Sequence, residues 1–298
     1  MPESLVHESD HQYEGDKGIM TTATATLERL EAADLSPLIG SRVHLDKAAL
    51  LSGDYAADLR ELLERRGVIV FPKINFNDEE QVAFTKTIGK FLPEMEGQEV
   101  YNITLDASLN QKSEYLKGSL YWHADGTMNR VPIGAAILTS KVLPTWGGNT
   151  EFCNTYAAWE FLPEEDKKQI EGLKAMHSAW ASLFYYEPEP SYAKLQEMVR
   201  IGEVELPLVW KHRSGRKSLV LGCTAHHVIG MSPTESTKLL VRLRDWATQP
   251  RFVYSHDWSV GDAVMWDNTG TMHRAMPYDP DCGRLLHRTK TEGEEPIV

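Results

Sequence analysis

The chain has 298 residues, 42% of them hydrophobic, which is enough for a sizeable core in one large domain or two small ones. Acidic residues outnumber basic ones by 43 to 31, and the net charge of -12 argues against a broad nucleic-acid-binding face. Three widely spaced cysteines without a CxxC pair exclude a disulfide framework or zinc ribbon and suit a reducing cytoplasm, and no stretch reaches the roughly 20 apolar residues of a membrane span.

Residues 1 to about 22 are polar and acidic, include a second methionine at Met20, and read as a flexible extension. No repeat or Pro/Gly/Ser-rich linker divides the chain beyond it, so residues 23–298 read as a single domain. Tyr55 to Arg66 has apolar residues at 56, 59, 62 and 63, the spacing of an amphipathic helix. Gly67 to Pro72 (GVIVFP) is a short β-branched run closed by proline, hence a buried strand. A second helix is expected over Asp78 to Gly89, with Asn77 or Asp78 able to cap it.

Pro132 to Thr139 (PIGAAILT) is strand-like and leads into the turn-rich PTWGGN, after which Thr150 to Phe152 resumes an extended pattern. Tyr156 to Leu173 is helical in character with a break at Pro163. LPLVWKH, a Ser214 to Lys217 turn and SLVLG form an expected β-hairpin. Residues 233 to 247 are the clearest late helix, with Pro233 in its first turn and Leu239, Leu240, Leu243 and Trp246 along one face. The remaining chain alternates short strands with turns. Many short strands with a few outer helices predict a mixed β protein with α, built as a β-sandwich or jelly roll.

The chemistry concentrates in YWHADGT, Tyr121 to Thr127. If this segment is extended, His123 and Asp125 share a face, and imidazole plus carboxylate is a donor set for Fe(II), Mn(II) or Zn(II). Two ligands are too few, and HxD alone is equally a polar pair at a strand end. Of the eleven histidines most sit in the tail or beside turns, but His273 leaves the WDNTGTM turn on a strand that can aim it inward. Farther on, RLLHR as a strand puts Arg284, Leu286 and Arg288 on one face and Leu285 and His287 on the other. Two inward guanidiniums require anions, from a dicarboxylate ligand or from acidic side chains; two exposed arginines on an edge strand are the bland alternative.

Taken in order, WHADGT, LPTWGGNTEF, GRKSLVLG, WSVGDAVMWDNTGTMHRA and RLLHRT resemble the TauD/TfdA family of Fe(II)- and 2-oxoglutarate-dependent dioxygenases, over about residues 120 to 291. The resemblance implies a double-stranded β-helix (jelly roll) core with flanking helices. It also implies His123, Asp125 and His273 as the Fe(II) ligands and catalytic triad, with Trp266 packed beside them. Thr150 and Arg284 would bind the distal carboxylate of 2-oxoglutarate, and Arg288 the substrate's anionic group or the keto acid's proximal carboxylate. O₂ is the further co-substrate, succinate and CO₂ the products, and the substrate is hydroxylated or cleaved through hydroxylation.

Ser119 stands where the family commonly carries a substrate-touching amide. The expected lid, Glu94 to Leu105, offers Val100, Tyr101 and Ile103 and lacks the His/Tyr pairing of taurine-specific members. An apolar lid over Arg288 suits an aromatic or aryloxyalkanoate-type carboxylate, and Pro207 to Met231 looks like the phenoxyacetate-type branch. A sulfonate or sulfate-ester oxygenase is the alternative within the family; a metal-dependent hydrolase and a noncatalytic jelly-roll binding module are alternatives outside it. The implied partner is a small-molecule carboxylate, with no nucleic acid and no membrane. No coiled coil or interface helix points to a protein partner, and a homo-oligomer stays open.

Overall fold

The computed structural model describes residues 30–298, so the expected N-terminal extension lies outside the described residues. In chain order the strands are β1 (Ala32–Asp34), β2 (Ser41–Val43), β3 (Val68–Phe71), β4 (Tyr101–Ile103), β5 (Ile133–Val142), β6 (Thr150–Asn154), β7 (Lys174–Ser178) and β8 (Glu203–Pro207). They continue as β9 (Val209–Lys211), β10 (Lys217–Leu219), β11 (Ala225–Val228), β12 (Val253–His256), β13 (Ala263–Asp267), β14 (Thr271–Ala275) and β15 (Leu285–Glu292).

A seven-stranded sheet in the order β1-β2-β3-β13-β5-β15-β4 faces a three-stranded sheet, β12-β6-β14. The phase of alternation assigns the two faces of the larger sheet. On β3, β5 and β13 the even-numbered Val68, Val70, Ala136, Leu138, Val264 and Trp266 point into the sandwich against Phe152 of β6. The odd-numbered Ile69, Phe71, Ala135, Ile137, Ala263 and Met265 pack against helices Ala56–Arg66 and Asp78–Ile88. β15 keeps the same phase. Leu286 joins the inner cluster, while His287 turns to the helices and pairs with Asp78 at 2.6 Å. The two faces expected for RLLHR are therefore the observed ones.

Helix Ala56–Arg66 buries Leu59, Leu62 and Leu63 and stops at Gly67, whose φ of 72° is left-handed. Helix Asp78–Ile88 begins on a capping box between Asn77 and Glu80 and ends one residue before the expected Gly89. Pro163 does break the next helical region, into Thr155–Glu160 and Glu164–Ile170. Helix Pro233–Ala247 carries its own capping box, Ser232 with Glu235.

The expected hairpin over residues 206 to 221 is shorter than its sequence suggests. β9 and β10 pair only from Val209 to Lys211, whereas Leu206 and Pro207 belong to β8 and pair with β7. The chain changes sheets at Leu208, whose N–H donates to Leu173 and whose carbonyl accepts from Val220.

The turn between β13 and β14 aims His273. Asp267 Oδ1 accepts from Thr269 N at 2.8 Å and from Thr269 Oγ1 at 2.6 Å, and the Asp267 carbonyl accepts from Thr271 Oγ1 at 2.7 Å. Burial raises the Asp267 pKa to about 6 against the lowering effect of those Thr269 bonds. The folded pKa lies above the unfolded one, so this contribution to stability is complete below about pH 3.9 and is lost as pH rises through about 6. Asp267→Asn should therefore gain stability relative to wild type by about 2 kcal/mol between pH 4 and pH 7.5. Urea melts of both proteins at the two pH values check this, and a pH-independent difference would refute it.

Candidate active site

His123 lies outside the regular strands and is held by a two-residue bridge to β14. Its N–H donates to the His273 carbonyl at 3.1 Å, and the His273 N–H donates back at 2.8 Å. The imidazoles stand side by side, ring centroids 4.2 Å apart, with Trp266 4.8 Å from His273. Gly126, at φ 78°, then turns the chain where a side chain would meet the Ile133 nitrogen at 2.8 Å. That turn directs Asp125 back onto the pair. Its Oδ1 is 3.8 Å from His123 Nε2 and its Oδ2 is 3.8 Å from His273 Nε2.

Single donor atoms of His123, Asp125 and His273 all lie within 4.8 Å of one another, the one such cluster of metal-ligating groups among the described residues. His123 Nδ1 sits 2.8 Å from the Tyr121 carbonyl, so it carries the proton and leaves Nε2 a lone pair. Burial, reinforced by His123, pushes the His273 pKa down to about 3 and keeps that ring neutral. Burial would raise Asp125, but Arg288 and then the two histidines outweigh it and hold the carboxyl well below the usual range. Two imidazole nitrogens and one carboxylate fit a hard or borderline divalent ion. Asn268 braces the arrangement: its Oδ1 accepts from Trp266 Nε1 at 2.9 Å and from Asp125 N at 3.4 Å.

A cavity of about 400 Å³ opens on this triad. Thr150, Arg284, Arg288, Ser119, Tyr101 and Ile103 all line it, as expected. Val100 does not: Tyr101 and Ile103 share the inward face of β4, so the residue just before Tyr101 falls on the other face. Ser119 Oγ donates to the Leu116 carbonyl at 2.6 Å, within its own helical turn. A hollow of about 530 Å³ beyond Trp122 and Cys223 contains none of the triad.

The two arginines meet different fates. Arg284 is 1% exposed, donates Nη2 to the Gly148 carbonyl at 2.9 Å, and lies 4.6 Å from the Tyr278 ring, while its Nε has no hydrogen-bond partner. No carboxylate among the described residues pairs with it, and burial lowers its pKa, opposed by Tyr278 and Cys282. Gly148 must be glycine, since a Cβ there would reach Pro144 at 2.8 Å and Arg284 Nε at 3.0 Å. Thr150 accepts at Oγ1 from Trp258 Nε1 at 3.0 Å, which leaves its own hydroxyl proton to donate.

Arg288 is met by acidic side chains. Its Nη1 donates to Asp125 Oδ2 at 2.8 Å and its Nη2 to Glu94 Oε2 at 3.1 Å. Lys290 reaches the same Glu94 oxygen at 2.7 Å. Burial opposes the charge on Arg288, but Asp125 and Glu94 outweigh it and raise its pKa. The expected apolar lid is thus polar at its first residue, Glu94. Neither Glu94 nor Lys290 was marked by the sequence; the alternation that singled out Arg284 and Arg288 extends to Lys290, but Glu94 lies on a distant segment with no such signal.

Residues 31–290 match the family described as taurine catabolism dioxygenase TauD, TfdA. The chain belongs to the TauD/TfdA family. An (S)-phenoxypropionate/alpha-ketoglutarate dioxygenase of Sphingobium herbicidovorans is 34% identical over 88% of this chain and 96% of its own length. An alpha-ketoglutarate-dependent 2,4-dichlorophenoxyacetate dioxygenase of a Burkholderia strain is 33% identical over 87% of this chain and 93% of its own. Among solved structures, AAD-2 in complex with Mn(II) and N-oxalylglycine superposes with a TM-score of 0.78 at 31% identity, covering 90% of this chain and 99% of that one.

This TauD/TfdA member is accordingly a 2-oxoglutarate-dependent non-haem iron dioxygenase on a jelly-roll fold, using Fe(II), 2-oxoglutarate and O₂. The hydrolase and noncatalytic readings fall with that membership. No helix among the described residues is long and apolar enough to cross a membrane. For the dioxygenase, Asn268→Ala should weaken Mn(II) binding about tenfold and His273→Ala by more than about 100-fold, measured by electron paramagnetic resonance titration. Wild-type affinity in His273→Ala would remove His273 from the metal site.

Proposed function

We propose that this dioxygenase holds Fe(II) on His123, Asp125 and His273, anchors the distal carboxylate of 2-oxoglutarate on Arg284 and Thr150, and hydroxylates an aryloxyalkanoate-type carboxylate. The observation that carries the keto-acid assignment is the unpaired burial of Arg284. A guanidinium that is 1% exposed, with an unpartnered Nε and no carboxylate beside it, is costly unless an anion completes it. Thr150 supplies a donor that lines the same cavity as Arg284 and the triad.

When bound, Fe(II) couples oxidative decarboxylation of the keto acid by O₂ to oxygenation of a substrate C–H bond. The protein's own part is positional. The two imidazoles and the ionised Asp125 form the donor set, and Asn268 with Trp266 keeps that set rigid. Tyr101, Ile103, Leu116, Ile133, Leu138 and Ile201 give the cavity the apolar lining an aromatic ring requires. The phenoxypropionate and 2,4-dichlorophenoxyacetate relatives support the same substrate class. Hydroxylation of the carbon that bears the ether oxygen yields an unstable hemiacetal-type product, so the outcome is ether cleavage. Three free cysteines, two of them buried, support a reducing cytoplasm as the place of action.

Anaerobic Fe(II) titrations followed by the visible charge-transfer band of the keto-acid chelate test the anchor. Arg284→Ala should weaken 2-oxoglutarate by about 100-fold, the loss of a buried charge-assisted pair; unchanged affinity would discard the assignment. Succinate release in the presence of phenoxyacetate, a phenoxypropionate, an alkyl sulfate ester and taurine should be fastest with the first two.

A further inference from the structure

The metal and keto-acid roles leave Glu94, Lys112, Arg288 and Lys290 as the other charged groups that line the cavity. Lys290 is two residues beyond Arg288 on β15, so both cations face inward. Their side chains are only 11% and 13% exposed, and both converge on Oε2 of Glu94, at 2.7 and 3.1 Å. Two desolvated cations aimed at one carboxylate oxygen make a strong carboxylate seat. Burial raises the Glu94 pKa, but Arg288 and Lys290 outweigh it and keep the side chain ionised.

The two carboxylates on Arg288 differ in their freedom to leave. Asp125 is fixed by its place in the triad and by its N–H contact with Asn268. Glu94 opens a tight turn in which its N–H donates to the Gln98 carbonyl and the Gln98 N–H donates to Met95, with Met95, Glu96 and Gly97 exposed. Among the described residues the Glu94 carboxylate takes hydrogen bonds from Arg288 and Lys290 alone. Rotating that side chain outward breaks two bonds and returns the carboxylate to water.

We propose that Lys290 completes the anion seat at Arg288 and that Glu94 is the resident counter-ion the substrate's carboxylate displaces. This rests on the reading of the substrate as an organic carboxylate. Arg288 spans the gap between Asp125 and the seat, so a carboxylate in Glu94's place lies one guanidinium away from the triad. Glu94 then acts as an internal competitor. It neutralises the cations in the absence of substrate and raises the threshold for weakly bound anions.

The test is calorimetric titration of Mn(II)- and 2-oxoglutarate-loaded protein with phenoxyacetate and with uncharged phenoxyacetamide. Glu94→Gln should tighten phenoxyacetate about tenfold and leave phenoxyacetamide within about twofold, and adding Lys290→Gln should reverse the gain. Glu94→Ala serves as the second form if the glutamine variant does not fold. Unchanged or weakened phenoxyacetate affinity on loss of the Glu94 charge overturns the seat, as does equal tightening of the amide or failure of every form to bind phenoxyacetate. Tightened binding without oxidation of phenoxyacetate leaves the seat standing and overturns the aryloxyalkanoate reading alone.

Discussion

Two backbone hydrogen bonds between His123 and His273 hold together segments 150 residues apart in the chain, and the site depends on them. Neither histidine could be placed by its own neighbours. His123 lies on an irregular stretch ahead of β5, and only its pairing with β14 fixes its backbone. Because the bridge joins the residues directly, their side chains emerge on one side and approach to 4.2 Å between rings. Asp125 arrives by a glycine turn, and Asn268 ties that turn to the strand end that carries His273.

Charge organises the rest of the cavity. Arg284 and Arg288 lie on the same face of the same strand region, yet one has no carboxylate and the other has two. The difference lies in their surroundings. Arg284 is walled by the Gly148 backbone and the Tyr278 ring, which can stack or accept but not neutralise, and no carboxylate among the described residues pairs with it. Arg288 stands between Asp125 and the Glu94 turn and is neutralised from within. Apolar residues, among them Tyr101, Ile103, Leu116, Ile133 and Leu138, line the same cavity as these charged groups.

Much of this was legible before any fold was known. The helix over residues 56 to 66 declares itself through Leu59, Leu62 and Leu63, and Asn77 as a cap and Pro233 in a first turn mark two further helix starts. The period of two in RLLHR correctly separated Arg284, Leu286 and Arg288 from His287, because a strand allows side chains only two directions. The same rule, applied with β4 in view, removes Val100 from the cavity while keeping Tyr101 and Ile103. Helix Ala179–Tyr186 carries no sequence signal of its own, because a short apolar run of Trp, Leu, Phe and Tyr has no period that distinguishes it from a buried strand. The hairpin expected over residues 206 to 221 is shorter in the structure because nothing local announces a change of sheet at Leu208.

The sequence by itself determined the donor types, the facing of alternate residues along each strand, and, through its ordered motifs, the family. Those properties are local: they depend on side-chain chemistry and on backbone geometry that repeats every few residues. Tertiary structure alone decided that Arg288 and Lys290 share one oxygen of Glu94, that Asn268 braces Asp125, and that the buried Arg284 Nε has no hydrogen-bond partner among the described residues. Each of these is a contact between segments far apart in the chain. Whether a buried charge is neutralised depends on what packing brings within about 4 Å of it, and that distance is not encoded in spacing along the chain.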